Sequence, residues 1–281
     1  MDEIGLGKRL QAARMHAGLT QQALCQQADL SYSTLTKIER GAIKSPSIFT
    51  IQNIAAALNV GLDELLGVPA PGRASKKKHS QSGVAFVYFD INGCLVHFFQ
   101  RAFTLMAADT GVSEGAIETA FWHYNDQACR GELTLHELNQ AFAEYVKLPP
   151  INWLDYYLSA VEPITGMHQL VQWAADNYHV GLLSNIMPGF IDALRDKKML
   201  PDVHYDAIID SSVVKLVKPE AAIYELATER SRHQPSEILL VDDTPSNLMP
   251  AEKLGWHVMW FDDYRPEESA KRIREALEPA N

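Results

Sequence analysis

The spacing of apolar positions changes twice along this chain. Up to residue 66 they recur at the three-to-four interval of short helices. Ile4, Leu6, Leu10 and Ala13 mark a first helix. "LTQQALCQQADL" predicts a second with Thr20 at its N-cap, and "SYSTLTKIERG" a third, capped by Ser31 and stopped near Gly41. "SIFTIQNIAAALNV" predicts a fourth, capped by Ser47, and "LDELLG" a fifth short turn. Leu24, Leu35, Ile38, Ile54 and Leu58 fall on the inward faces. Asp29 falls at the turn between the second and third helices, where Asp tolerates left-handed backbone better than most residues. Residues 67–83, "GVPAPGRASKKKHSQSG", have no apolar period and are rich in Pro, Gly, Ser and Lys. They predict a flexible linker.

Beyond the linker the pattern alternates. "VAFVYF" is a short apolar run of the kind that forms a buried strand, and residues 98–160 return to helix spacing. Then come a helix "MHQLVQWAADN", a strand "VGLLS", a helix "FIDALRDKKML" and a strand "YDAIIDSS". A helix "EAAIYELATERS", a strand "EILLVDD", a helix "NLMPAEKLG" and a strand "HVMWF" follow, and residues 266–281 predict a polar helical tail. Strands alternating with helices predict a parallel sheet covered on both faces, with ligands beyond the carboxyl ends of its strands.

Charge sharpens this division. The chain has 281 residues and a net charge of −10. Residues 1–66 hold six acids and six bases; residues 67–82 hold four bases and no acid; residues 83–281 hold 29 acids and 15 bases. An acidic body repels nucleic acid, so DNA contacts are expected from the first domain and the basic linker. No apolar run reaches the length needed to cross a bilayer, so no membrane partner is expected. Three unpatterned cysteines, Cys25, Cys94 and Cys129, imply a reducing cytoplasm and neither a disulfide framework nor a zinc site.

The second and third helices with their tight turn make a helix-turn-helix. The first residues of the third helix then reach base edges in a major groove. The DNA-binding candidates are Ser31, Tyr32, Ser33, Thr36 and Lys37, with Gln21 and Gln22 set to meet phosphates at the start of the second helix. Lys8, Arg9, Lys37, Lys44 and the Lys76–Lys78 run could add phosphate contacts. "GLTQQAL", "STLTKIERG" and "IAAALNVGLDELL" resemble the Cro/repressor-type, XRE-like helix-turn-helix family over residues 4–66. The resemblance implies binding to a double-stranded DNA operator, usually as a homodimer, and structural roles for Arg14 and Glu39. Asp29 stands where the family commonly has Gly. The neutral charge of the domain also suits a module for protein contact.

Four pieces of the second domain follow strands. They are Asp90 with Asn92, Ser184 with Asn185, Lys218, and Asp242 with Asp243. Carboxylates this close repel unless a hard cation neutralises them, and Mg²⁺ takes oxygen ligands. Ser184 can donate to phosphate and Lys218 can balance its charge; Lys215 is the competing lysine. "FDINGCL", "LLSN", "KPEAAIY" and "VDDTPSNLMPAEKLG" resemble the haloacid dehalogenase-like (HAD) superfamily over roughly residues 84–262. The last resembles the phosphatase branch that includes the soluble epoxide hydrolase N-domain. The resemblance implies an α/β Rossmann-like domain over 84–265 with a helical C1-type cap over about 97–163. It makes Asp90 the nucleophile and a Mg²⁺ ligand, the Asn92 carbonyl a second ligand, Ser184 and Asn185 phosphate-binding, Lys218 the orienting lysine, and Asp242 and Asp243 the acidic metal pair. His97, Trp122, His123, Asn125 and Arg130 are candidate pocket residues of the cap. Cys94 reads as a small buried side chain.

Position 92 decides the chemistry. Phosphatases of this superfamily carry Asp there to protonate the leaving oxygen and then to activate water. An amide does neither. The expectation is a DNA-binding transcriptional regulator whose second domain senses a small phosphorylated metabolite with Mg²⁺ and turns it over weakly. The alternative is a Mg²⁺-dependent phosphatase with an attached DNA-binding domain. A protein in which both halves serve assembly is a third reading.

Overall fold

The computed structural model describes residues 3–17, 19–43, 46–58, 60, 65 and 77–278. Lys44, Lys76, the segment 67–76, residues 279–281 and all of the expected fifth turn except Leu65 lie outside them. The chain divides into two compact units, 1–76 and 77–281.

The first unit holds helices α1 (Glu3–His16), α2 (Gln21–Gln27), α3 (Tyr32–Glu39) and α4 (Ile48–Leu58). The expected caps act as such. Thr20 accepts from the Ala23 amide, Ser31 from Thr34 and Ser47 from Thr50, each at 3.1 Å. Each removes one of the unpaired amides that begin a helix. Asp29 adopts the left-handed conformation, φ 50°. Leu10, Leu24, Leu35, Ile38 and Ile54 close the core.

The second unit is a five-stranded sheet. Its strands are β1 (Phe86–Phe89), β2 (His179–Ser184), β3 (Ala207–Asp210), β4 (Ile238–Asp242) and β5 (His257–Trp260), in the order β3-β2-β1-β4-β5. All four pairings are parallel. Alternate residues of β1 therefore face different layers. Val87 and Phe89 join the larger core, and Phe86 and Tyr88 the smaller one. Helices α9 (Thr165–Asn177), α10 (Phe190–Asp196), α12 (Ala221–Ser231) and α13 (Pro245–Lys253) connect the strands.

Between β1 and α9 lie α5 (Arg101–Thr110), α6 (Glu114–Cys129), α7 (Leu135–Val146) and α8 (Trp153–Ala160). They form the helical cap. Its two connecting segments are stitched together: the His97 amide donates to the Glu162 carbonyl and the Ile164 amide to Leu95.

Three expectations need correction. Ser211 and Ser212 do not extend β3 but begin a short helix, α11 (Ser211–Val214), because the Asp210 carboxylate caps the Ser212 amide at 2.9 Å. The last helix, α14 (Pro266–Leu277), is not a polar tail: Ser269, Ile273 and Leu277 are buried, the two apolar ones in the main core. Its charged residues cover the other face, which hides the buried one in the composition. Finally, residues 77–83 of the expected linker belong to the second unit. The Lys78 amide donates to Asn177, the Lys77 ammonium donates to the Ala175 carbonyl, and buried Ser80 accepts from Val84. Among the described residues no helix is long and apolar enough to cross a membrane.

Candidate phosphate and metal site

The carboxyl ends of β1, β2 and β4 meet where the parallel order puts them, side by side. β1 delivers Asp90, β2 ends on Ser184, and β4 ends on Asp242 with Asp243 next. Lys218 comes from the loop before α12. Oxygens of Asp90, Asp242 and Asp243 lie within 4.8 Å of one another. Lys218 Nζ sits 3.1 Å from Asp90 Oδ1 and 2.5 Å from Asp242 Oδ2. Lys218 is 3% exposed and faces the carboxylates, whereas Lys215 is exposed.

The electrostatics follow from burial. Desolvation raises the Asp90 pKa, the Asp242 charge adds to this, and the Lys218 ammonium opposes it. Asp243 is pushed up to about 7 by burial and by the charges of Asp90 and Asp242. Burial works against the Lys218 ammonium, but Asp242 and Asp90 outweigh it and hold its pKa above the ordinary lysine value. Asp242 is further pinned by the Thr244 amide at 2.9 Å and by Asn247 Nδ2 at 3.0 and 3.2 Å. Gly93 lets the β1 loop pass under this cluster. It has φ +80°, and a Cβ there would come within 2.2 Å of Asp243 Oδ2.

Among the described residues, two buried side-chain atoms are left without a well-formed hydrogen bond, Asp90 Oδ1 and Ser184 Oγ. Oδ1 lies 3.1 Å from Lys218 Nζ as one half of an ion pair. Such orphans are rare in folded proteins and cost free energy unless something supplies partners. A hard cation among three carboxylates would relieve their repulsion, and a bound anion would satisfy the Ser184 hydroxyl. The residues present therefore fit Mg²⁺ and a phosphoryl group.

Asn92 lies above this cluster, with its Oδ1 accepting from the Tyr157 hydroxyl of α8 at 2.7 Å. Burial raises the Tyr157 pKa first, and the Asp90 charge adds to it, so the phenol stays protonated and donating. A cavity of about 30 Å³ adjoins Asn92. Phe99, Phe121, Trp153, Tyr157 and Phe190 wall it, with Asn125 and Cys129 from α6. Cys94 is buried, and burial pushes its thiol well above the usual value.

Some expected site residues sit elsewhere. Asn185 is tied to the lysine loop: its Nδ2 donates one hydrogen to the Lys218 carbonyl and its Oδ1 accepts from the Lys218 amide, both at 2.8 Å. It positions the lysine loop. Of the five cap candidates only Asn125 lines the cavity. His97, Trp122 and His123 are exposed. Arg130 pairs with Asp126 and, across to the core, with Glu220 at 2.8 Å. Next to it Gly131, φ +63°, passes so close to Ser212 that a Cβ would lie 2.0 Å from its carbonyl oxygen.

In the first unit Ser31, Tyr32, Ser33 and Lys37 are exposed at the start and outer face of α3, and Gln22 is exposed on α2. Thr36 is partly covered and donates to the Tyr32 carbonyl. Gln21 is tied into the fold: its Nε2 donates to Glu39 at 2.6 Å and its Oε1 accepts from the Tyr32 hydroxyl at 2.9 Å. Arg14 Nε donates to Glu39 at 2.7 Å. Arg9 Nε donates to the Leu65 carbonyl.

Comparison with known proteins supplies the families. A helix-turn-helix family model matches residues 10–65, and a haloacid dehalogenase-like hydrolase model matches residues 85–255. Acyl-CoA dehydrogenase family member 10 of Mus musculus is 26% identical over 203 residues, covering 68% of this chain and 19% of that protein. D-ribitol-5-phosphate phosphatase of Bacteroides thetaiotaomicron is 30% identical over 148 residues, covering 50% of this chain and 62% of that one. The chain thus spans less than two thirds of the length of these curated relatives. A HAD family enzyme of Bacteroides thetaiotaomicron, solved with magnesium and inorganic phosphate, superposes with a TM-score of 0.55 at 19% identity, over 64% of this chain and 96% of that one. It shares the fold.

Proposed function

Since this chain belongs to the haloacid dehalogenase-like hydrolase family and carries a helix-turn-helix domain, we propose that it is a DNA-binding transcriptional regulator. Its second domain binds Mg²⁺ and a small phosphorylated ligand, and its catalysis is weakened. It acts in the cytoplasm as a homodimer on a symmetric operator, read by Ser31, Tyr32, Ser33, Thr36 and Lys37. Asp90, the Asn92 carbonyl, Asp242 and Asp243 would hold the cation, which offsets carboxylate repulsion and takes up phosphate charge. Ser184 and Lys218 hold the phosphoryl oxygens.

The observation that carries the weakened catalysis is the amide at position 92. Its Oδ1 is occupied by a neutral tyrosine hydroxyl, so no group there exchanges a proton near neutral pH. Hydrolysis of p-nitrophenyl phosphate with Mg²⁺ tests this, in wild type and in Asn92→Asp. Feeble wild-type turnover that the substitution restores is the expected result. Thermal shift with Mg²⁺ and inorganic phosphate tests binding separately, and DNA affinity measured with and without them tests the link to regulation.

The second reading is a working Mg²⁺-dependent phosphatase with an attached DNA-binding domain. The unsatisfied Asp90 Oδ1 and Ser184 Oγ favour it, because a site kept in this condition still has a task. Brisk wild-type turnover of an ordinary alkyl phosphate would establish it.

A further inference from the structure

The amino edge of the sheet, opposite the carboxylate cluster, carries a pair of histidines. We propose that His179 and His233 together bind one late first-row divalent cation, such as Zn²⁺, through their Nε2 atoms. His179 opens β2, and His233 lies in the turn between α12 and β4. Both are half-buried beside the Phe86 ring, and their own ring centroids are 5.1 Å apart. Phe86 and Asp90 are four residues apart along β1, about 13 Å of strand, so this pair is separate from the carboxylates.

The hydrogen bonds decide the state of each ring. His179 Nδ1 lies 3.0 Å from Asp206 Oδ1, and His233 Nδ1 lies 2.7 Å from the Ser231 carbonyl oxygen. A carboxylate and a carbonyl only accept, so each neutral ring carries its proton on Nδ1 and leaves the Nε2 lone pair bare. Asp206 is itself fixed, its Oδ2 accepting from the Val180 amide at 3.1 Å. Neither Nε2 has a hydrogen-bond partner among the described residues. Metal-binding histidines are held in this way: one nitrogen faces the ion, and the other donates to a carboxylate or backbone carbonyl that fixes the tautomer. The spacing agrees. With Zn–N bonds of about 2.0–2.1 Å, two imidazoles on one tetrahedral ion have centroids about 5 Å apart. Imidazole nitrogen suits Zn²⁺, Ni²⁺ or Cu²⁺, whereas Mg²⁺ takes oxygen. Among the described residues no third His, Cys, Asp or Glu joins the pair at the spacing that groups Asp90, Asp242 and Asp243. Water therefore fills the remaining positions, and the ion is exchangeable, unlike one in a closed structural site.

The experiment is calorimetric titration of the full chain with Zn²⁺ in excess Mg²⁺, at a pH above the ordinary histidine value of about 6.5 so that both rings are neutral. The expected result is one equivalent of Zn²⁺ that disappears in His179→Gln and in His233→Gln and persists in Asp243→Asn. Asp206→Ala, which frees the His179 ring without removing a ligand, should weaken binding by about 10–100-fold. Should the variants fold poorly, carbethoxylation of wild type by diethyl pyrocarbonate, mapped by peptide mass, carries the same information. Zn²⁺ should protect His179 and His233 together and leave the exposed His97 and His123 reactive. A wild type that binds no Zn²⁺, binding unchanged in either histidine variant, or protection of only one ring overturns the inference. So does Zn²⁺ binding that is lost in Asp243→Asn alone, which would put the ion among the carboxylates and leave the proposed function standing.

Discussion

Each unit of this protein buries charge, and the two do so differently. In the helical unit, Arg14 and Glu39 form a buried pair in which the partners close on one another. Both Glu39 oxygens accept from Arg14, Gln21 adds a third bond, and the Arg14 Nη1 donates to the Leu19 carbonyl. In the sheet unit, one lysine faces three carboxylates, and Asp90 Oδ1 and Ser184 Oγ remain unmatched. The first arrangement is complete within the chain and locks α1 to α3. The second is short of positive charge and of hydrogen bonds, which the proposed cation and phosphoryl group would supply. A buried charge network thus reports a site by what it leaves unsatisfied, more than by being charged.

That contrast can be broken at its ends. The largest effect is expected from Asn92→Asp, which supplies the missing proton carrier: p-nitrophenyl phosphate turnover should rise by about 10²–10⁴-fold in a steady-state assay. Next come the ion networks themselves. Glu39→Ala strands the Arg14 guanidinium and should cost about 3–5 kcal/mol in urea unfolding, with or without Mg²⁺. Lys218→Met should cost a similar amount in metal-free buffer, and here added Mg²⁺ should recover part of the loss. A Glu39→Ala protein rescued by Mg²⁺, or a Lys218→Met protein indifferent to it, would erase the distinction.

A smaller effect concerns pH. Asp243 sits near 7 without a cation, above its ordinary value, because burial and two neighbouring charges disfavour its ionised form. Ionising it therefore opposes folding, and metal-free stability should decline as pH rises from about 4 to 7. Mg²⁺ must displace that proton, so its affinity should be about tenfold higher at pH 8 than at pH 6, measured by Mg²⁺ titration under thermal shift. The smallest effect lies in the helical unit, where Ser31→Ala removes the α3 cap and should cost about 1 kcal/mol. Loss of DNA affinity beyond that cost would assign Ser31 a contact as well as a cap.

Much of this was legible in the sequence because short-range rules govern it. Thr20, Ser31 and Ser47 act within four residues of where they stand, and the strands announce themselves as apolar runs between helices. The motif positions Asp90, Ser184, Lys218 and Asp242 come together because parallel strands share one carboxyl edge. What escaped involves distance or disguise. The bond from Tyr157 to Asn92 joins residues 65 apart, and no spacing in the cap helices distinguishes Tyr157 from the core aromatics around it. Asn185 lies beside Ser184 in "LLSN", yet its amide turns to the Lys218 backbone. Asn247 steadies Asp242 but lies within a stretch whose neighbouring acids draw attention first. In α14 an abundance of charge concealed a buried face.

The strand order also governs when the protein becomes itself. In β1, Phe86 pairs with His179 on one side and with Ile238 on the other, so its partners arrive after long intervening stretches of chain. Closing such loops costs entropy before any contact repays it, and topologies of this kind fold slowly. The helical unit relies on neighbours closer in sequence and precedes the sheet unit along the chain. Until β4 emerges from the ribosome, β1 has a bare edge, and the Asp90 carboxylate lacks Asp242 beside it.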